Sequence, residues 1–249
     1  LVASDDEVSR IQAKIRAAGC YGKVSASRFD GERLPYISNL VNLVIVGSDT
    51  EVSGYEVRRV LAPYGVAIVN GKKTAKPYPG EMDEWPQYLH GADNNCVAQD
   101  RVVGPPRHVQ WISGPAWTRA HIGAATISSM VSSGGRLFTI EDTETAENPL
   151  LPARWKLVAR NAFNGLVLWR RDVPSWITHL YFFRSGPVWL ARRLVSSGDR
   201  VYTTLGLEAP VTALDAATGK TLRTYEGSDK AEEILYHNGT LLVAVGDPA

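Results

Sequence analysis

Hydrophobic positions recur with two different spacings along the chain, and the change occurs near residue 80. Before it, Val8, Ile11 and Ile15 fall on one face of a helix, as expected for an amphipathic segment. The nearly continuous apolar run 40–46 predicts a strand that is covered on both faces, as in a parallel sheet. This alternation of helix and strand predicts a Rossmann-like α/β layer with right-handed crossovers.

Two serines predict where the helices of this first part begin. Ser4 precedes Glu7, and Ser53 precedes Glu56, at the spacing of a capping box. In that motif the serine accepts a hydrogen bond from the helix backbone, and the glutamate reaches back to the backbone of the serine. We therefore expect a helix directly after each serine.

Beyond residue 80, short β-type runs bounded by Gly, Asp, Asn and Ser replace the helical spacing. All seven tryptophans lie in this part. The Lys-Pro-Tyr-Pro-Gly stretch at 76–80 breaks both helix and strand. We therefore predict a first domain at 1–75, a linker at 76–82 and an all-β domain at 83–249.

Two sequence elements recur in the same order within the all-β part. Residues 131–138 match 195–202, with a weaker copy near 237, and each copy places a glycine-containing hairpin turn before a strand. Residues 159–169 are similar to 213–223, where a short strand meets an Asx-type turn and a second strand leaves. This recurrence predicts the repeated four-stranded blades of a β-propeller, with about three to four blades in the chain.

The turn at 214–220 resembles the signature turn of pyrroloquinoline-quinone-type propeller repeats, which reads roughly Asp-x-x-Thr-Gly-x-x-x-Trp. The copy at 161–169 keeps the Gly and the Trp, whereas Arg223 stands where Trp is usual. Residues 84–88 are similar to the Trp-Pro-Gln-aromatic opening of many proteins of this group. The resemblance implies a structural role, in turns and in docking between blades, for Asn161, Gly165, Trp169, Asp215, Thr218 and Gly219.

The first part is similar to the later half of class I S-adenosylmethionine-dependent methyltransferases, on residues 29–36, 42–46 and 57–65. The resemblance implies that Asp30 and Gly31 lie near the adenine of the cofactor. A methyltransferase-like segment followed by a quinoprotein-like segment is also the order found in a group of bacterial proteins, many of them planctomycetal. The chain resembles that group in this respect.

The methyltransferase pattern is incomplete in this chain. It contains no Gly-rich loop after a first strand, and such a loop lets the backbone approach the cofactor. Asn42 stands where Asp is common in that family, and Tyr64 replaces a Gly. We therefore expect no methyl transfer from this chain.

Composition adds mainly exclusions. The chain has 249 residues and a formal charge of +1, which argues against a dedicated nucleic-acid binder. No apolar run is long enough to predict a transmembrane segment. The two cysteines and five histidines have no metal-binding spacing, and Gly-x-Ser-x-Gly is absent.

Taken together, the sequence predicts a multidomain chain: a truncated, Rossmann-like α/β segment followed by an incomplete, quinoprotein-like β-propeller. The expected function is a non-catalytic binding or scaffold module, placed in the extracytoplasmic space or the cell envelope. Its expected partner is a protein, or further chain segments that complete the propeller. Two enzymatic alternatives stay open: a quinone-dependent oxidoreductase that uses pyrroloquinoline quinone with calcium, and an S-adenosylmethionine-dependent methyltransferase completed by further N-terminal residues.

Overall fold

The structure is a computed structural model, and it is mostly β. It describes residues 1–2, 4–48, 50–102, 104–105, 109–114, 126–144, 151–177 and 187–246. Strands and bridges account for 39% of these residues, and helices for 11%. No helix in these ranges is long and apolar enough to cross a membrane.

The chain divides into two compact units, Leu1–Tyr78 and Pro79–Ala249. The division lies inside the stretch 76–82 that the sequence predicts as a linker.

The first unit has two helices and a three-stranded sheet. Its elements are α1 (Asp5–Ala17), β1 (Val41–Val46), α2 (Gly54–Val60), β2 (Leu61–Val69) and β3 (Lys72–Ala75). The strand order is β1-β2-β3, in which β1 is parallel to β2 and β2 is antiparallel to β3. A small core lies between α2 and one face of this sheet, and it contains Val46, Val57, Leu61 and Ala67.

The predicted Rossmann-like α/β segment is wrong, because the described part of this unit contains only one parallel strand pair. After β2 the chain reverses at Asn70 and Gly71, whose φ angles of 49° and 78° suit a tight hairpin. That turn sends β3 back beside β2, where a doubly wound layer would need a helical crossover. Leu43 and Ile45 of β1 are 51% and 67% exposed, so this strand is covered on one face.

The helices begin directly after the two predicted serines, α1 after Ser4 and α2 after Ser53. Ser4 accepts a hydrogen bond from the Glu7 backbone at 3.3 Å, and Ser53 accepts one from the Tyr55 backbone at 3.2 Å. The Glu56 carboxylate turns away from Ser53 and is buried.

Glu56 ties a loop of the first unit to α2. Its two oxygens accept hydrogen bonds from Arg59, each at 2.7 Å, and one of them also accepts the Leu34 backbone N–H at 3.0 Å. Arg59 donates in turn to the carbonyls of Leu34 and Tyr36. The hydrogen bonds from Arg59, followed by that from Leu34, hold the pKa of Glu56 below its ordinary value against the effect of burial.

The second unit contains two four-stranded sheets and a hairpin. Its elements are β4 (Ile127–Ser133), β5 (Arg136–Asp142), β6 (Trp155–Asn161), β7 (Val167–Asp172), α3 (Val188–Ala191), β8 (Leu194–Ser197), β9 (Arg200–Thr204), β10 (Val211–Asp215), β11 (Thr221–Thr224), β12 (Ala231–His237) and β13 (Thr240–Val245). The sheets are β4-β5-β6-β7, β8-β9-β10-β11 and β12-β13, and every pairing in them is antiparallel.

The sequence repeat is also a structural repeat. The predicted fold class, a Rossmann-like segment followed by an incomplete β-propeller, is nevertheless wrong. The described strands of the whole chain form four small sheets and no closed barrel. A short-range repeat specifies a sheet and its turns. Closure depends on how successive sheets are arranged, and a repeat read from the sequence does not contain that information.

Two apolar clusters connect the repeats. The larger one contains residues of β4–β7 together with Leu194, Val201 and Leu214 of the next sheet. The smaller one joins Val195 and Tyr202 to Ala231 and Ile234 of the hairpin, and Leu241 and Val243 pack at its margin. Strands β8, β9 and β10 are therefore covered on both faces, whereas β11 is exposed.

We predict that Glu56→Gln reduces the acid sensitivity of the first unit. A carboxylate with a lowered folded pKa contributes stability above its unfolded pKa, and this contribution is lost as the pH falls through the folded value. The wild-type melting temperature should therefore fall between pH 7 and about pH 3, below the usual glutamate pKa, and the fall should be smaller in the variant. Circular dichroism measures both, with the exposed Glu51→Gln as the control. Equal falls in wild type and Glu56→Gln would contradict this role.

Candidate functional site

The two Asx-type turns of the repeat are built in the same way. The Asp215 carboxylate accepts hydrogen bonds from the Ala217 and Thr218 backbones at 3.2 and 2.8 Å, and from the Thr218 hydroxyl at 2.7 Å. The Asn161 side chain accepts from the Phe163 and Asn164 backbones at 2.9 and 3.2 Å. These side chains therefore shape the turns.

A tryptophan docks on the glycine of each turn. The Trp169 indole N–H donates to the Ala216 carbonyl at 2.9 Å, and its ring covers Gly219, where a Cβ would lie 2.6 Å from ring atoms. Gly219 has a φ of 70°, which other L-residues rarely adopt. Two independent reasons therefore require glycine at this position: the positive φ angle, and the Trp169 ring that leaves no space for a Cβ atom.

Trp111 repeats this contact on the first sheet and was missed by sequence reasoning. Its indole N–H donates to the Ala162 carbonyl at 3.0 Å, and its ring would lie 2.5 Å from a Cβ at Gly165. The signal was available, because Trp111 precedes Gly165 by nearly the same interval as Trp169 precedes Gly219. Residues 109–114 form no strand, so a strand pattern could not find it.

Asp30 and Gly31 lie on an exposed turn of the first unit. The Asp30 carboxylate accepts hydrogen bonds from the Glu32 and Arg33 backbones at 2.9 and 3.3 Å, and Gly31 has a φ of 90°. These hydrogen bonds, that from Glu32 first, lower the pKa of Asp30. A cavity of about 420 Å³ in this unit is lined by Phe29, Leu34 and strand β1, and neither Asp30 nor Gly31 is among its lining residues.

Tyr64, which stands where the methyltransferase pattern has Gly, adopts a glycine-like conformation. Its φ is 64°, and its ring stacks on Tyr78 with 5.6 Å between the centroids. This left-handed residue lies within β2, where the register with β1 shifts between the pairs Val41–Leu61 and Leu43–Val66.

Residues Trp85–Gln87, which we call the bridging segment, contact the first strand of all three repeats. The Trp85 backbone donates to the Ser132 hydroxyl at 2.9 Å and accepts from the Ser132 backbone at 2.8 Å. The Pro86 carbonyl accepts from the Ser196 backbone at 2.8 Å. The three contacted residues occupy the same position of the repeat, because each is the last but one residue of its strand: Ser132 in β4, Ser196 in β8 and Tyr236 in β12.

Gln87 makes the third contact with both ends of its amide. Its nitrogen donates to the Tyr236 carbonyl at 2.9 Å, and its oxygen accepts from the Tyr236 backbone N–H at 2.9 Å. Gln87 is 6% exposed, so both groups of Tyr236 depend on this side chain. The bridging segment thus closes the edge of each repeat by hydrogen bonds to the backbone of its first strand.

Asp83 and Glu84 fix the start of the bridging segment. Asp83 accepts hydrogen bonds from the His90 ring at 2.8 Å and from the backbones of Gln99 and Glu84 at 2.5 and 2.8 Å. Burial opposes ionisation of Asp83, but the hydrogen bonds from Gln99, Glu84 and His90 together keep its pKa below the ordinary value. The Glu84 carboxylate accepts from the Gly134 backbone at 2.5 Å in the β4–β5 turn.

A groove of about 460 Å³ lies between the bridging segment and β4. Its lining residues are Trp85, Tyr88, Ile127, Ser128, Ser129, Met130, Val131, Ser132, Leu137 and Ala191. Ile127 and Met130 are 47% and 57% exposed, and the Arg192 guanidinium lies 5.7 Å from the centre of the Tyr88 ring.

The serine hydroxyls of the groove are already used within the protein. Ser128 accepts from the Trp176 indole at 2.9 Å, Ser129 donates to the Leu190 carbonyl at 2.9 Å, and Ser132 accepts from the Trp85 backbone. The surface that the groove offers to a ligand is therefore mainly aromatic and aliphatic.

Arg160 and Glu141, which are both buried in the second unit, compensate each other's charge, whereas the buried Arg193 donates to the Leu207 carbonyl at 2.8 Å and its Nε has no partner among the described residues. Arg160 donates to both oxygens of Glu141 at 2.8 and 2.9 Å and to the hydroxyls of Thr139 and Ser113. A buried ion pair of this kind needs all its hydrogen bonds satisfied to be tolerated. Across the described ranges, no group of three His, Cys, Asp or Glu side chains is placed to hold a metal ion.

A comparison of the chain with protein-family models and with curated proteins finds no match. The resemblances to quinone-type repeats and to methyltransferases therefore stay predictions that depend on the quoted residues alone.

We predict that Trp169→Ala destabilises the second unit by about 3 kcal/mol, because it removes a large docked side chain. Gly219→Ala should also destabilise it, since the added methyl group would overlap the Trp169 ring. Urea unfolding measures both free energies, and Leu168→Ala on the exposed side of β7 is the matched control. If Trp169→Ala lowers the free energy of unfolding by less than about 1 kcal/mol, the docking contact contributes little to stability and the prediction is wrong.

We predict that Gln87→Leu leaves the Tyr236 backbone N–H and C=O without partners. An unpaired group that is fully buried costs about 1–3 kcal/mol. These two groups are partly buried, so they should contribute part of that cost and the hairpin should open more often. Amide hydrogen exchange at Tyr236 should accelerate, while exchange at Phe138 in the first sheet should not. Gln99→Leu, at an exposed side chain, is the control. Unchanged protection of Tyr236 would contradict the bridging role.

Proposed function

We propose that the chain is a non-catalytic binding or scaffold protein whose second unit presents the groove beside the bridging segment to an apolar ligand group. One observation carries the proposal. A segment that is hydrogen-bonded to three successive repeats, and so held rigidly, forms one wall of an open, mostly apolar groove. Rigid, pre-formed apolar concavities are the usual binding sites of proteins.

The use of the polar residues supports this proposal. Asp215 and Asn161 shape turns, Asp83 and Glu84 hold the bridging segment, and Glu141 is paired with Arg160. Each of these side chains has an assigned structural partner. This pattern is typical of a protein whose polar groups maintain shape.

The chemistry of the groove suggests the class of ligand. The aliphatic wall formed by Ile127 and Met130 faces the aromatic residues Trp85 and Tyr88. Methionine adapts to ligands of different shape and contacts aromatic groups favourably. A volume of about 460 Å³ suits one or two large apolar side chains of a bound peptide or a small apolar molecule.

A peptide library displayed on phage and selected against the intact chain tests the proposal. Selected peptides should carry large apolar residues, and Met130→Glu should weaken their binding at least about tenfold by placing a charge in the groove. Leu168→Glu, on an exposed strand away from the groove, should bind as the wild type does. Fluorescence anisotropy gives the affinities.

The competing enzymatic functions are tested with the same protein. Pyrroloquinoline quinone with calcium should give no dye reduction, and S-adenosylmethionine should give no binding heat in calorimetry. Turnover with the quinone, tight cofactor binding, or peptide binding that ignores Met130→Glu would each overturn the proposal.

A further inference from the structure

The groove beside the bridging segment follows the edge of strand β4. Six consecutive residues, 127–132, contribute to its lining. Because successive side chains of a strand point to opposite faces, a cavity on one face would be lined by every second residue. A cavity lined by successive residues therefore lies along the strand edge, where the backbone is accessible. Among the described strands β4 pairs only with β5, so no strand covers its other edge.

The bridging segment shows which backbone groups of β4 point into the groove. The Ser132 N–H donates to the Trp85 carbonyl at 2.8 Å, so it points away from β5. In an antiparallel pair the N–H and C=O of every second residue point the same way. The register between β4 and β5 is regular from Met130 to Ser133, so the N–H and C=O of Met130 also point away from β5.

Met130 therefore offers a free pair of backbone groups. Within the described ranges neither its N–H nor its C=O has a hydrogen-bond partner, and the residue is 57% exposed. The groove around it is bounded by other parts of the same chain, by Trp85 and Tyr88 and by Ala191 of α3. This edge is thus a feature of the folded second unit, and an extended segment can pair with it.

The lining of the groove also defines the side chains that a bound segment should carry. None of its described lining residues is charged, and the exposed Ile127 and Met130 share the groove with Trp85 and Tyr88. A charged ligand residue would lose hydration there without gaining an opposite charge. An uncharged segment with at least one large apolar side chain fits this surface.

We propose that this groove binds an uncharged, extended segment of a partner protein as an additional strand on β4. The segment exchanges backbone hydrogen bonds with the N–H and C=O of Met130, next to the place where the bridging segment already bonds Ser132. The inference rests on the proposed function and deepens it, because it gives the ligand of the groove a strand conformation. A small apolar molecule without peptide groups would not pair with Met130 in this way.

The chain contains two methionines, which allow a direct test by NMR. Labelling the whole chain with ¹⁵N-methionine gives one amide signal from each, and Met130→Leu assigns them. The probe is the tightest-binding phage-selected peptide, synthesised with both ends capped. At saturation the Met130 amide should shift downfield, and its hydrogen exchange should slow at least about tenfold. The Met82 amide already donates to the Pro79 carbonyl at 3.1 Å, so it is the internal control and should not change.

Backbone changes in the peptide and in β4 give a second test, measured by fluorescence anisotropy. N-methylation of the one peptide residue that donates to the Met130 carbonyl should weaken binding about tenfold, whereas methylation of either adjacent residue should not. Met130→Pro removes the edge N–H, so it should bind at least about tenfold more weakly than Met130→Ala, which keeps it. Circular dichroism checks that both variants are folded. The peptide scan uses the wild-type protein and decides the question even if Met130→Pro does not fold.

The outcomes separate this inference from the proposed function. Peptide binding that Met130→Glu weakens, but that leaves the Met130 amide unchanged and shows no alternation in the N-methyl scan, would mean that side chains alone hold the ligand. That result would overturn the inference and leave the proposed function standing. Failure of every selected peptide to depend on the groove would overturn both. Selection of mainly charged peptides, or a dimer in sedimentation that Met130→Pro dissociates, would overturn the uncharged peptide partner.

Discussion

The second unit depends on hydrogen bonds between residues 85–87 and backbone groups that the strand pairing within its sheets leaves without partners. The first strand of each repeat has an outer edge, and at the same position of each repeat that edge is hydrogen-bonded by a different residue of the bridging segment. Leaving a buried peptide group without a hydrogen-bond partner costs free energy. The cost is comparable to what one or two favourable contacts contribute to the stability of a typical domain. Residues 85–87 thus determine how the three first strands can lie relative to each other.

Tryptophan docking secures the repeats at the opposite side of each sheet. Trp111 and Trp169 use the same indole hydrogen bond and require the same bare glycine beneath the ring. Each sheet is consequently attached at its first strand by backbone bonds and at its last turn by an aromatic ring. The second sheet departs from this rule at Arg223, which stands where the first sheet has Trp169 and is exposed.

The first unit shows why local patterns misled the α/β prediction. The run 40–46 is apolar enough for a strand covered on both faces, yet Leu43 and Ile45 are exposed. The pattern identified a strand correctly and could not say which faces would be covered. Asn70 and Gly71 were the decisive residues, since a two-residue turn makes an antiparallel hairpin where the prediction needed a crossover. Glu56 was read as part of a cap because its spacing from Ser53 is suitable, but the nearby Arg59 competes for its carboxylate.

The sequence alone determined the local features of this protein: the helix starts at Ser4 and Ser53, most strands, the Asx turns at Asn161 and Asp215, and the repeat itself. These depend on residues that are neighbours along the chain, so spacing reveals them. The tertiary structure alone decided that the sheets stay separate, that Trp111 docks on Gly165, and that Gln87 binds the backbone of Tyr236, far along the chain. The Trp111 contact left a trace only in the interval that it shares with Trp169 and Gly219. The Gln87 contact is made to backbone groups, which are the same in every residue type and so leave little trace in the sequence.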